Sequence, residues 1–99
     1  MFPKKKRIRN LKLLEEVRQQ KCVACGKWPP NDPHHITTVG ARGGDTENNV
    51  IPLDRGCHNL IHAIGLTRMA EKFTGVEQWL VSKGWMYDDF KQRWCRNLD

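Results

Sequence analysis

The 99-residue chain has no run approaching the roughly 20 apolar residues that a membrane-spanning helix needs. Its basic start, Met1-Phe2-Pro3-Lys4-Lys5-Lys6-Arg7, is not followed by the apolar stretch of a secretory leader. A membrane or secreted protein is therefore not expected, and the cytoplasm is the expected compartment. Apolar side chains are scarce as well: 38% of the residues are hydrophobic and 8% aromatic. One small domain with a thin core follows, and such domains usually lean on a disulfide, a metal or a partner. Internal repeats are lacking, and so is low-complexity sequence outside the basic N-terminus. Residues 1–21 contain eight bases and two acids, whereas the remainder carries no net charge, so the whole formal charge of +6 sits in that first segment.

The four cysteines decide which support the core uses. Cys22-Val23-Ala24-Cys25-Gly26 places two thiols two residues apart, the spacing with which a tight turn grips one ion, and the glycine lets the backbone turn back beneath it. In a reducing compartment a metal site is favoured over a disulfide, and a thioredoxin-like redox pair lacks its strand and helix context. The second half-site is Asp54-Arg55-Gly56-Cys57, with knuckle spacing but a carboxylate where a fourth thiolate would stand. Asp54 reads equally as a ligand or as the N-cap of the following helix, and Cys95 is the other source of a fourth bond.

Hydrophobic spacing gives the outline of the chain. Ile8, Leu11, Leu14 and Val17 recur at three-residue intervals and predict an amphipathic helix over 8–20. Three prolines make 27–34 turn or extended chain. His35 to Val39 and Asn49 to Leu53 predict two short strands around a flexible loop, Gly40 to Asp45. A helix is expected from between Asp54 and Cys57 to a stop at Gly65. Thr67 to Phe73 and Val76 to Lys83 read as short helices, and the aromatic tail from Trp85 to Trp94 fits no clear element.

All four histidines, His34, His35, His58 and His62, lie within 29 residues. His58 and His62 are one turn apart on one helix face, which suits chelation. His34 and His35 are neighbours on a strand and point to opposite faces, so one can bind an ion while the other stays free. If the cysteines fill a tetrahedral structural zinc, His34, His58 and His62 remain as three ligands for a second metal with an open position, and His35 lies beside it as a candidate general base.

These residues resemble the HNH endonucleases. His34-His35-Ile36 is similar to the family's first-strand motif, Asn49 in Asn48-Asn49-Val50-Ile51-Pro52-Leu53 to its asparagine, and His58 with His62 to the helix pair of the colicin-type DNases. Cys22, Cys25 and Cys57, with Asp54, resemble the subgroup that adds a structural zinc. The resemblance implies a small α+β fold: a ββα-metal core over residues 22–65, preceded by a basic arm and helix (1–21) and followed by a helical, aromatic extension (66–99).

It further implies a metal-dependent DNA endonuclease, of a kind found in phage or bacterial DNA processing. His34, His58 and His62 would hold one divalent ion (Zn, Ni, Mn, Co or Mg), His35 would act as general base, and Asn49 would brace the loop. Counterion release by Lys4, Lys5, Lys6, Arg7 and Arg9, with Arg42 and Arg55 nearer the site, would hold the DNA. The alternative reading is a zinc-knuckle nucleic-acid-binding module without catalysis.

Overall fold

A computed structural model describes residues 7–96. Among these residues the chain forms three helices and two antiparallel two-stranded sheets. In order they are α1 (Leu11–Arg18), β1 (Asp32–His35), β2 (Val50–Leu53), α2 (Arg55–Lys72), α3 (Thr74–Ser82), β3 (Trp85–Asp88) and β4 (Arg93–Arg96). A short 3-10 turn at Val39–Ala41 interrupts the long β1–β2 connection. No helix among the described residues is long and apolar enough to cross a membrane.

The centre of the fold is β2, where Val50, Ile51, Pro52 and Leu53 are all buried. Such a continuous apolar run suits a strand covered on both faces. Ile51 and Leu53 pack with Ile61, Met69, Ala70, Val76, Leu80 and Trp85 in one cluster that also takes in Cys22 and Cys57. Val50 joins Leu13 and Val17 of α1 in a smaller cluster. The knuckle is stitched to β2 by a hydrogen bond from Val23 N–H to the Pro52 carbonyl, 3.0 Å, and Trp85 Nε1 donates to the Asn48 carbonyl just upstream of β2, 2.7 Å.

The expected elements are present with shifted edges. The first helix starts late because Asn10 caps it, its side chain accepting from Leu13 N–H at 3.0 Å. Its buried stripe is accordingly Leu13 and Val17, with Leu14 partly covered, while Ile8 precedes the helix and Leu11 faces solvent. The first strand also lies earlier than expected, at Asp32–His35 in place of His35 to Val39, in register with β2 so that His34 faces Ile51 and His35 faces Val50. Beyond Ile36 the side-chain amide of Asn49 takes over the backbone partners that a longer strand would have used: it accepts from Thr37 N–H at 2.7 Å and donates to the Thr37 carbonyl at 3.0 Å.

Gly65 breaks the second helix as its sequence suggests, with φ 85° and ψ 165°, although helical geometry resumes after it and runs to Lys72. The aromatic tail, which fitted no clear element in the sequence, is a β-hairpin that follows the expected helices of the extension: Trp85 pairs with Arg96 and Tyr87 with Trp94. Trp85 and Tyr87 alternate along β3 with Met86 and Asp88, and Trp85 is the buried residue of that strand.

Candidate metal centre

Two clusters of metal-type donors form at the two ends of one structural unit. Cys22, Cys25, Asp54 and Cys57 place one donor atom each within 4.8 Å of one another, and so do His34, His58 and His62. Both clusters could hold a metal ion.

The first cluster is built by the knuckle and the start of α2. Gly26, at φ 77°, turns the chain so that its N–H reaches the Cys22 carbonyl, 2.9 Å. Asp54 serves as cap and cluster member at once, one oxygen for each. Its Oδ1 accepts from Cys57 N–H at 2.6 Å, and its Oδ2 lies 3.0 Å from Cys25 Sγ. Cys95 stays on β4, facing the Arg93 carbonyl at 3.9 Å, so the fourth donor is Asp54.

The protonation chemistry of this cluster suits a cation. Hydrogen bonds from the Cys25 thiol and from Cys57 N–H hold the Asp54 carboxyl below its usual range. That carboxylate and then burial push the Cys25 thiol up, while burial, followed by the Asp54 carboxylate and the charge of Cys22, pushes Cys57 up strongly. Burial also raises Cys22, but backbone N–H groups of Cys25, Asp54 and Ala24 outweigh it and bring that thiol below its ordinary value. Four anions crowd together poorly unaided, which is why Cys25 and Cys57 are held above the ordinary thiol value; a divalent cation would displace protons from them.

The second cluster joins β1 to the first turns of α2. Its three imidazoles stand with ring centroids 5.0 Å (His34–His58), 5.1 Å (His34–His62) and 4.9 Å (His58–His62) apart. Burial, and then the neighbouring His58, His62 and His35, push His34 down to about 4, so its ring is neutral at pH 7 and offers a lone pair. His58 is oriented by a carboxylate: Nδ1 lies 2.9 Å from Asp32 Oδ2, which leaves Nε2 for an ion. Asp32, to which sequence reasoning gave no role, sits two residues before His34 on the same face of β1, and that period-two relation is the signal that could have found it.

His35 points away from the three imidazoles and is the best-supported side chain of the region. Its Nε2 is 2.7 Å from Asp45 Oδ1, and Asp45 is 2% exposed. The same carboxylate accepts from Arg7 Nη2 at 2.8 Å and, through Oδ2, from Asn10 N–H at 2.8 Å. Burial works to raise Asp45, but the His35, Asn10 and Arg7 interactions prevail and keep it ionised. An ionised acceptor fixes the proton of His35 on Nε2 and leaves the lone pair on Nδ1. Sequence reasoning placed Asp45 only in a flexible loop; its partners lie 10 to 38 residues away, and nothing local announces them. Asn49 is buried and holds that loop, donating also to the Gly44 carbonyl at 3.0 Å.

The basic residues are distributed differently from the expectation. Arg7 does not extend toward solvent: it turns onto Asp45 and donates through Nε to the Gly43 carbonyl at 2.7 Å. Arg55 is exposed but reaches Asp32, Nε to Oδ2 3.2 Å. Arg9 and Arg42 are exposed, and Lys4, Lys5 and Lys6 lie outside the described residues.

A comparison with family models finds a match over residues 1–82 to DUF968, a family described as proteins of unknown function. No curated protein and no solved structure matches the chain. The chain belongs to the DUF968 family.

Proposed function

We propose that this DUF968 protein is a metal-dependent DNA endonuclease of the HNH type, with a ββα-metal core formed by β1, β2 and the first part of α2 and a structural zinc at the cysteine cluster. The observation that carries this reading is the convergence of His34 from a strand with His58 and His62 from a helix, beside a fourth histidine that is tied to a buried carboxylate and belongs to no metal cluster. Three neutral-type ligands leave positions open for substrate, the arrangement of a catalytic site, while three thiols and a carboxylate make the closed set of a structural one. A soft, sulfur-rich donor set selects zinc, whereas an all-imidazole set fits Zn, Ni, Co or Mn better than Mg.

A divalent ion held by His34, His58 and His62 would supply Lewis-acid stabilisation of charge on the phosphodiester oxygens. His35 takes the proton of the attacking water on Nδ1, and Asp45 steadies the imidazolium that forms at the opposite nitrogen. Asp32 holds the His58 ring in its ligating orientation. Asn49 keeps the loop after β1 closed through its bonds to Thr37 and Gly44, so that His35 and Asp45 stay in register. DNA is held by charge on the N-terminal segment and by Arg9 and Arg42. Such an enzyme works in the cytoplasm, that of the host if the chain is phage-encoded.

The test replaces His35 by alanine and measures cleavage of linear and branched DNA with added Mg, Mn, Ni or Zn. Cleavage should fall by about 10²-fold or more, with zinc content and DNA affinity unchanged. Undiminished cleavage refutes the mechanism, and a wild-type chain that binds DNA but never cuts it leaves the non-catalytic binding module as the answer.

A further inference from the structure

The hairpin formed by β3 and β4 has no part in the mechanism above, yet it borders a cavity against the loop that Asn49 holds. The cavity measures about 440 Å³ and is lined by Arg42, Arg93, Arg96, Trp94, Thr37 and Asn49, among others. Three arginines line it, and among the described residues no acidic side chain does. Among the described residues neither Arg93 nor Arg96 forms an ion pair, and the partly buried Arg96 has an Nε without a hydrogen-bond partner. Arg93 is exposed, and the Arg96 guanidinium lies over Gly84, whose φ of 90° brings the chain beneath it without a side chain. Trp94 is half-buried, packed edge-to-face against Tyr87 at 5.8 Å.

An indole beside three arginines, with no acid among the described lining residues, is chemistry for a nucleotide: phosphate oxygens on the guanidinium groups, a base against the ring. The volume lies within the range of small-ligand sites, roughly 300–1,000 Å³, and cannot admit a duplex. Thr37, two residues past His35, belongs to its wall, so an occupant would lie next to the proposed cleavage centre. We propose that this cavity seats one unpaired nucleotide of the DNA substrate, which makes the preferred substrate a duplex carrying a single-stranded tail or branch. This inference rests on the nuclease reading for the nature of the substrate, but its test does not depend on cleavage.

Binding is measured by fluorescence anisotropy on the full-length, zinc-loaded chain carrying His35→Ala, with a blunt duplex and the same duplex bearing a single-stranded tail, over a salt series. The tailed DNA should bind about tenfold or more tightly than the blunt one. Arg93→Ala combined with Arg96→Ala should remove most of that preference and flatten the salt dependence for tailed DNA by about 1.4 to 1.8 in slope, the contribution of two phosphate contacts. Trp94→Leu should remove the preference while leaving the slope unchanged. Because Trp94 also packs on the core, Arg93→Ala alone, at an exposed position, is the control that cannot be explained by unfolding; it should lower the slope by about half as much. Equal affinity for the two DNAs, or an unchanged salt slope in the arginine variants, overturns the proposal. A lowered slope with no tail preference overturns it too, since the arginines would then be reading duplex phosphates. The nuclease reading fails separately, if the wild-type chain cuts neither DNA.

Discussion

Asp54 separates two contributions that are usually made by different residues, and its substitution measures each. Oδ1 caps α2 and Oδ2 faces Cys25 in the metal cluster. Asp54→Asn retains a good cap but removes the anionic donor; Asp54→Ala removes both. Removing groups that merely orient a metal ligand already costs about 10–100-fold in affinity, so losing a direct anionic ligand should cost more than about 100-fold, or ~2.7 kcal/mol. The cap adds a separate ~1 kcal/mol, within a range of 0.5–2. Asp54→Asn should therefore bind zinc at least 100-fold more weakly in a competition with a chromophoric chelator, and at the same saturating free zinc should lose about the same ~2.7 kcal/mol of stability through that weaker binding. Asp54→Ala should show the same affinity loss and a further ~1 kcal/mol of destabilisation at saturation. Cobalt substitution gives an independent readout, because changing the fourth donor alters the visible ligand-field bands. Wild-type zinc affinity in Asp54→Asn would refute the ligand role and leave Asp54 as a cap alone.

The raised thiols make a pH prediction: zinc uptake must displace protons from Cys25 and Cys57, so affinity should fall about tenfold per pH unit for each proton released as the medium is acidified, measurable by chelator competition between pH 6 and 8. His34 behaves oppositely. Because its pKa is lowered to about 4, the ring stays neutral well below the ordinary histidine range, and protonation of this ligand should not limit metal binding at the imidazole cluster until pH falls below about 5; isothermal titration of the zinc-loaded wild-type chain with Ni at pH 5.5 and 7.5 tests this. Asp45→Asn should cut single-turnover cleavage by about 10–100-fold with DNA affinity unchanged, whereas Asp45→Ala also strands Arg7 and should lower stability by about 2–3 kcal/mol, less than a fully buried pair because Arg7 is partly exposed. Gly43→Ala should abolish the closed loop, since a Cβ there would collide with the Thr37 carbonyl and crowd Asn49 Nδ2; a folded variant with wild-type cleavage would show that Asn49 does not need that geometry.

How much of this was legible in the chain depends on the range of the interactions. The knuckle, the His58/His62 pair and the helix stop at Gly65 are set by spacings of two to seven residues, and the sequence reveals them. Asp54 was readable as cap or ligand, and the geometry makes it the cap and also a member of the donor cluster, because a carboxylate has two oxygens and each finds one partner. The hairpin at 85–96 was not legible, since its four-residue strands are short and its buried anchor, Trp85, is secured by a carbonyl 37 residues away. Asp45 was missed for the same reason. An acid between Gly44 and Thr46 carries no local signal; only folding delivers Arg7, Asn10 and His35 to it.

The arrangement of ligands along α2 ties the two clusters together. Asp54 caps the helix, Cys57 lies in its first turn, and His58 follows directly, with His62 one turn on. A helix this short in its first segment, ending at Gly65, gains little from propensity alone, so its first turn is held by the Asp54 cap and by Cys57 within the buried cluster, and a metal at the cysteines would add to that hold. His58 and His62 inherit their position from that turn. The opposing ligand, His34, is fixed to β2 by its pairing with Ile51, and β2 is in turn bonded to the knuckle through Val23. Both halves of the imidazole cluster are thus referred to the same four-donor clamp by short, hydrogen-bonded paths. A metal at the cysteines would therefore steady the histidines without touching them, reinforcing the placement that holds three imidazole rings about 5 Å apart.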